Sequence, residues 1–232
     1  MIKGLDVSSV QGGILAAEWQ ALAKQGVRFV VAKCGNGNDG FDRRWSANVG
    51  MAKTAGMIVG VYHFPFVLPA TPEHPTRDPV VQARAHFNYC QGLGKAAGDL
   101  PACCDVEWPT PEHWGKPLPG IDGAPVVTRQ SLVDGFSAYM DEYERLQGRP
   151  MLLYSYPYFL RALQPIPLKW TTRPLWLANY EPHVKPEPPW AGWSLMQTSG
   201  GGGRLPGGVP VDTDVCVDEA TLRALAQLPA CA

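Results

Sequence analysis

Asp105 and Glu107 stand two positions apart in the run CDVEW, at the end of an apolar stretch that predicts a strand over residues 100–107. Side chains alternate along a strand, so both carboxylates face the same side. At about 3.3 Å of rise per residue, their Cα atoms would be about 6.5 Å apart. Two carboxylates held that close, and partly out of water, cannot both ionise freely, and one keeps its proton near neutral pH. A protonated carboxyl beside an ionised one is what general-acid cleavage of a glycosidic bond requires. Two solvated acids at a strand end would give the same spacing, and the pattern alone does not separate the two readings.

Other groups extend the pattern. Asp6, in GLDVSSVQG, sits where an apolar strand meets a Ser/Gln/Gly loop, a position that also suits a turn or a helix cap. PVDTDV supplies Asp212 and Asp214, again two apart. If the first and last strands of a closed barrel are neighbours, Asp6 and Asp212 approach one region. Converging like charges repel, so such a gathering favours a task over coincidence. VYHFPF adds Tyr62, His63 and Phe64, while Tyr154, Trp176, Tyr180 and Trp193 fall on or just beyond later strands. Aromatic faces stack on sugar rings, and Tyr and His bond to hydroxyls. Core packing is the ordinary role of a buried aromatic, which applies above all to Trp176 and Trp193. His63 suits a structural role as well as a substrate contact.

The elements that must hold these groups alternate between strand and helix. Short runs rich in Val, Ile and aromatics predict parallel strands over residues 2–7, 29–33, 58–64, 100–107, 151–155, 175–179, 193–198 and 211–217. Helices are expected over 15–24, 42–55, from Asp78-Pro79 onward, and over 128–147, where Leu132, Phe136, Met140 and Tyr143 form one apolar face. Gly26 and Gly56 mark two helix ends. Asp218 is placed to cap a last helix carrying Leu222, Leu225 and Leu228. Alternation of this kind specifies an α/β fold with a parallel sheet, and about eight strands allow closure into a barrel. Between Trp176 and Val217 the chain is rich in Pro and Gly with no amphipathic helix, so the last part of the barrel should lack its helical coat. Residues 200–203, all glycine, read as a flexible turn. Two Pro-rich loops, 65–79 and 108–125, each follow a strand and so belong at the C-terminal face, where loops of that length are usually functional. The whole chain, residues 1–232, reads as one domain.

Composition excludes several alternatives. The net charge of −1 and the absence of a basic stripe argue against nucleic acid or an anionic membrane surface as partners. No apolar run approaches the roughly 18–20 residues of a membrane span. The opening MIKGLDVSSVQGG has no signal-peptide pattern. This leaves two settings: action in a host cytoplasm and then on the wall, or secretion after loss of a leader. Cysteines at 34, 90, 103, 104, 216 and 231 show no zinc spacing and read as buried thiols, with Cys216–Cys231 the local pair if a disulfide forms. No metal or organic cofactor is implied.

Taken in order, GLDVSSVQG, FVVAKCGNG, GVYHF, LPACCDVEW, LLYSYPYF, LWLANY, WSLMQTSGGG and VDTDV resemble the family 25 glycoside hydrolases, lysozymes with N-acetylmuramidase activity. The likeness runs from about residue 4 to 216. It implies an irregular TIM-like barrel, with about five β/α units followed by strands poorly covered by helices. It further implies Glu107 as the acid/base, Asp105 as its D-x-E partner, and Asp6 and Asp212 as the other two acids. Substrate contacts would come from Tyr62, His63, Phe64, Tyr154, Tyr180 and Gln197. The implied partner is the glycan strand of bacterial peptidoglycan, met by a monomer, and a phage endolysin is the preferred setting. The chain departs from the family pattern at Asp214, where an amide is common, at Thr198 after Gln197, and at Cys34-Gly35. The insert 109–125 is also unusual. A non-catalytic glycan-binding module on the same fold and a glycosidase of another polysaccharide are the competing readings; Glu107 argues against the first, since a decayed enzyme is expected to lose it.

Overall fold

Apolar runs bounded by glycine, and helices started by polar caps, set the element order of the chain. In a computed structural model, which describes residues 1–37, 40–96, 98–181 and 188–228, the strands are β1 (Ile2–Val7), β2 (Val27–Asn36), β3 (Gly40–Phe41), β4 (Ile58–Phe64), β5 (Cys103–Asp105), β6 (Leu152–Ser155), β7 (Leu175–Ala178), β8 (Leu195–Arg204) and β9 (Pro210–Cys216). The α-helices are α1 (Ala16–Lys24), α2 (Trp45–Thr54), α3 (Pro79–Tyr89), α4 (Arg129–Gln147), α5 (Pro157–Ala162) and α6 (Glu219–Leu225). Two caps foreseen in the sequence, Asp78 and Asp218, are in place, and Thr128, expected inside its helix, caps it instead. The Asp78 carboxylate accepts from the Val80 and Val81 amides, Thr128 accepts from Ser131, and Asp218 accepts from Thr221.

The sheet order is β1-β9-β8-β7-β6-β5-β4-β2-β3, and β1 also pairs with β2, which closes a barrel of every strand except the short β3. Pairing is parallel from β1 through β2, β4, β5, β6, β7 and β8. The expected all-parallel sheet fails at the seam, where β9 runs antiparallel to both β8 and β1. The physical reason is length. Residues 205–209 are enough for a hairpin, but a parallel crossover needs a dozen residues or more. The expected turn at 200–203 lies instead within β8, and the chain reverses after it, with the Gly208 amide bonded to the Leu205 carbonyl at 2.7 Å. Gly203 serves close strand approach: a Cβ there would stand 2.6 Å from Thr213 Cγ2 and 2.9 Å from the Val211 carbonyl oxygen. Between β7 and β9 no helix occurs among the described residues, as the Pro/Gly content foretold.

Alternation along β2 shows how the two apolar layers arise. Phe29 and Val31 point into the barrel with Leu100, Leu152, Trp176 and Leu195, while Val30, Ala32 and Cys34 face the helices. Gly4 on β1 leaves the interior open for the Phe29 ring, whose Cζ would lie 2.2 Å from an added Cβ. Leu222 and Leu225 of α6 join the interior near Ile2 and Ile58, the first residues of their strands, so α6 closes the N-terminal end of the barrel. The C-terminal end is left for chemistry.

The cysteines meet the expectation of buried thiols at three positions and depart from it at two. Cys34 and Cys90 are joined by a disulfide, while Cys103, Cys104 and Cys216 are buried and free. Their positions are far apart in sequence, and only the packing of α3 on β2 brings them together. Cys231, the foreseen partner of Cys216, lies outside the described residues. No helix among the described residues is long and apolar enough to cross a membrane.

Candidate active site

A cavity of about 250 Å³ opens at the C-terminal ends of the strands, lined by Asp6, Tyr62, Asp105, Glu107, Tyr154, Trp176, Tyr180, Gln197 and Asp212. Each acid arrives by a separate route. Asp6 ends the inward face of β1, and its register partner across the seam is Asp212 of β9. Asp105 ends β5 beside Tyr154 of β6. Glu107 follows two residues on, after the Val106 amide makes one more bond to the Tyr154 carbonyl oxygen at 2.8 Å. That extra bond carries strand geometry past the end of β5, so both acids of the D-x-E pair face the cavity.

Burial and mutual repulsion set the charge state. Loss of water and the nearby Glu107 push the Asp105 carboxyl well above its ordinary range, and burial raises Glu107 as well. The Lys33 ammonium pulls both down. It lies over the rings of Tyr62 and Phe64, 5.9 and 5.4 Å from their centroids. Burial, then Asp212, lifts Asp6 to about 7. The Asp105 Oδ1 atom is buried and has no hydrogen-bond partner.

Gln197 ties the far wall together. Its Nε2 donates to Asp6 Oδ2 at 2.8 Å. Its Oε1 accepts from the Tyr154 hydroxyl at 2.9 Å and the Tyr180 hydroxyl at 2.8 Å. Asp212 accepts from the Gly201 amide. One side of the cavity is therefore a bonded acid–amide–tyrosine network, and the other is the Asp105/Glu107 pair.

This geometry can be set against known proteins. The sequence profile described as glycosyl hydrolases family 25 matches residues 5–205. The chain belongs to that family. A muramidase from Trichobolus zukalii has the same fold, with a TM-score of 0.78 at 23% identity over 98% of this chain and 99% of that one. The catalytic domain of endolysin ply40, from bacteriophage P40 of Listeria monocytogenes, superimposes with a TM-score of 0.66 at 22% identity over 97% of each chain. Lysozyme M1 of Streptomyces globisporus is 40% identical over 63 residues, a match that spans 27% of this chain and 20% of that protein.

Two expected contacts of this family 25 chain lie elsewhere. His63 is fully buried and faces away from the cavity, its Nε2 2.7 Å from the Gly37 carbonyl oxygen and its Nδ1 2.9 Å from the Tyr139 hydroxyl. Strand alternation explains this, because Tyr62 takes the inward position and its neighbour must point outward. Phe64 does not line the cavity; it packs edge-on against Phe66 beneath Lys33. Trp193 packs on the outer core.

Three groups went unassigned in the sequence. Trp176, expected in the core, lines the cavity and donates from Nε1 to Asp214 Oδ1 at 2.8 Å. Asp214 is buried beneath Asp6, and burial followed by the Asp6 charge raises its carboxyl well above the ordinary range. Lys33 was legible only as a lone cation in an otherwise apolar strand. The Pro-rich loops meet each other: Arg77 donates to the Asp122 carbonyl oxygen at 2.6 Å, and His74 pairs with the Asp122 carboxylate at 3.2 Å.

Proposed function

We propose that this chain hydrolyses the β-1,4 bond between N-acetylmuramic acid and N-acetylglucosamine in bacterial peptidoglycan. The observation that supports this reading is the unpartnered, buried Oδ1 of Asp105 beside Glu107 in an acid-lined cavity. A buried acceptor without a donor is costly, and a ligand N–H would satisfy it. The 2-acetamido group of the sugar whose C1 is attacked, N-acetylmuramic acid in this reading, offers such an N–H next to the scissile carbon.

In this mechanism Glu107, kept protonated by burial, gives its proton to the leaving glycosidic oxygen. The acetamido oxygen of the substrate attacks C1 from the opposite face and the C1–O bond breaks, leaving a cyclic oxazolinium. The acetamido N–H, donated to Asp105, favours its ionised form, which leaves the shared proton on Glu107 and offsets the positive charge. Ionised Glu107 then takes a proton from the water that attacks C1, which reopens the ring and restores both groups. Two inversions give net retention. Asp212, held by the Gly201 amide, supplies negative potential where the sugar becomes cationic, and Asp6, braced by Gln197, adds to it as it ionises near pH 7. Direct attack by an aspartate would also give retention, and substrates lacking the acetyl group separate the routes: only the assisted route stops with them.

The setting we propose is phage-directed lysis of a host wall by a monomer; the fold is shared with a phage endolysin domain as well as with a muramidase from Trichobolus zukalii. The test is turbidity loss and reducing-end release from purified peptidoglycan, with wild type against Glu107→Gln. Removing a positioned general acid costs on the order of 10²–10⁴-fold. New reducing ends that depend on Glu107 support the proposal. Release of free amino groups without reducing ends, or a folded wild type that binds walls and releases nothing, overturns it.

A further inference from the structure

Away from the cavity, His63 and His86 stack with ring centroids 4.1 Å apart, both fully buried, and both meet the hydroxyl of Tyr139. That hydroxyl is 2.9 Å from His63 Nδ1 and 2.5 Å from His86 Nδ1. His63 Nε2 lies 2.7 Å from the Gly37 carbonyl oxygen. These contacts determine where every proton sits. A carbonyl oxygen only accepts, so His63 Nε2 carries hydrogen. Burial keeps His63 neutral, so its Nδ1 is bare and takes the Tyr139 O–H. The Tyr139 oxygen must then accept from His86 Nδ1–H. His86, also held neutral by burial, is left with an exposed lone pair on Nε2. That nitrogen is buried and has no partner.

A ring nitrogen of His86 and the sulfurs of Cys34 and Cys90 lie within 4.8 Å of one another. Nε2 is the nitrogen with a lone pair to give. His86 on α3 and Cys90 just beyond its end share one helix face at a spacing of four, and Cys34 meets them from the outer face of β2. Ligand atoms around a tetrahedral zinc stand about 3.5–3.8 Å apart, so the sulfurs must part once their bond is broken, while the nitrogen already lies within 4.8 Å of both.

We propose that, with the Cys34–Cys90 bond reduced, the two sulfurs and His86 Nε2 form a buried three-ligand site for a thiophilic divalent cation of the zinc type. Reduction by a phosphine supplies two electrons, with both protons and the oxygen of the phosphine oxide coming from water, and gives two thiols; a dithiol gives the same two thiols and leaves as a cyclic disulfide. Binding of the cation displaces one proton from each thiol. A dication, two thiolates and a neutral imidazole sum to zero charge, which suits a buried place. Two thiolates and an imidazole also match the softness that zinc selects. The run from Nδ1–H through Tyr139 and His63 to the Gly37 carbonyl is the outer support that orients a ligating histidine. Cys90 also lines a groove of about 400 Å³ with Trp45, Val49 and Leu93, which gives the ion a path and a fourth ligand from solvent. Sequence spacing hides the site because Cys34 is 56 positions from Cys90.

The test uses the whole chain, reduced anaerobically with a phosphine and checked by thiol titration for the gain of two thiols and by circular dichroism for retained fold. Co²⁺ is then titrated as a spectroscopic probe and Zn²⁺ against a chromophoric chelator. The expected result is one equivalent bound, sulfur-to-cobalt charge-transfer absorption, and release of two protons. His86→Gln should weaken binding at least ten-fold, and Cys34→Ser/Cys90→Ser should abolish it in a folded chain. The proposal is overturned if the folded chain gains no thiols on reduction. It is also overturned if the reduced chain binds no stoichiometric metal, which would leave a thiol–imidazole hydrogen bond only. Binding that persists in the double serine variant, through Cys103, Cys104 or Cys216, overturns it as well.

Discussion

Asp6 and Asp212 face each other across the single seam where the first strand of the barrel meets its last. Burial and the Asp212 charge raise the Asp6 carboxyl from 3.8 to about 7, so the folded chain holds a proton there that the unfolded chain releases near pH 4. Stability from this group is fully present below the unfolded value and is lost as pH rises through 7. The loss amounts to roughly 4 kcal/mol at most. Asp6→Asn removes the titration, so its denaturant-unfolding free energy should fall less than that of wild type between about pH 4 and pH 8. Equal slopes in the two proteins would reject the assignment.

Asp214 presents a related case with a different remedy. Its raised carboxyl keeps a proton, accepts the Trp176 indole N–H and faces Asp6, which is how an amide would behave. Asp214→Asn should therefore leave stability unchanged near pH 5 and raise the melting temperature near pH 8, by about 2–4 °C for each kcal/mol recovered. A fall at both pH values would show that the carboxyl is needed as such.

Lys33 pulls down both members of the proposed catalytic pair, Asp105 and Glu107. Lys33→Met should shift both limbs of the pH profile of kcat/KM to higher pH, by up to about one pH unit. The direction is the informative part: without the cation, Glu107 stays protonated further into the alkaline range. A shift to lower pH would contradict the placement of Lys33.

Gln197 serves three partners at once, and Gln197→Glu replaces its donor to Asp6 with a second carboxylate. The variant should lose about 1–3 kcal/mol of stability, more near pH 8 than near pH 5, because repulsion grows as Asp6 ionises. Thermal melts at both pH values check this. A loss independent of pH would mean that the tyrosine contacts matter more than the one to Asp6.

Much of this was legible because it depended on local patterning. Strand alternation put Asp105 and Glu107 on one face, and Asp78 and Asp218 announced the helices they cap. What escaped depended on pairing across the chain. His63 looked available because it neighbours Tyr62, yet the same alternation that turns Tyr62 inward turns His63 out toward Tyr139. The direction of β9 followed from the shortness of residues 205–209, which composition alone does not weigh. Cys34 and Cys90 offered no shared motif, since a strand and a helix from different β/α units carry them. Lys33 gave only a faint sign, one cation in an apolar run.

The place of β9 between β8 and β1 has a consequence for how the chain comes to act. Asp6 leaves the ribosome long before Asp212, and neither half of the molecule holds a working cleft. A nascent or prematurely ended chain that lacks β9 has an open barrel and an Asp6 without its counterpart. Hydrolysis thus begins only after the last strand has been made and inserted, and the timing of activity is written into the order in which the barrel closes.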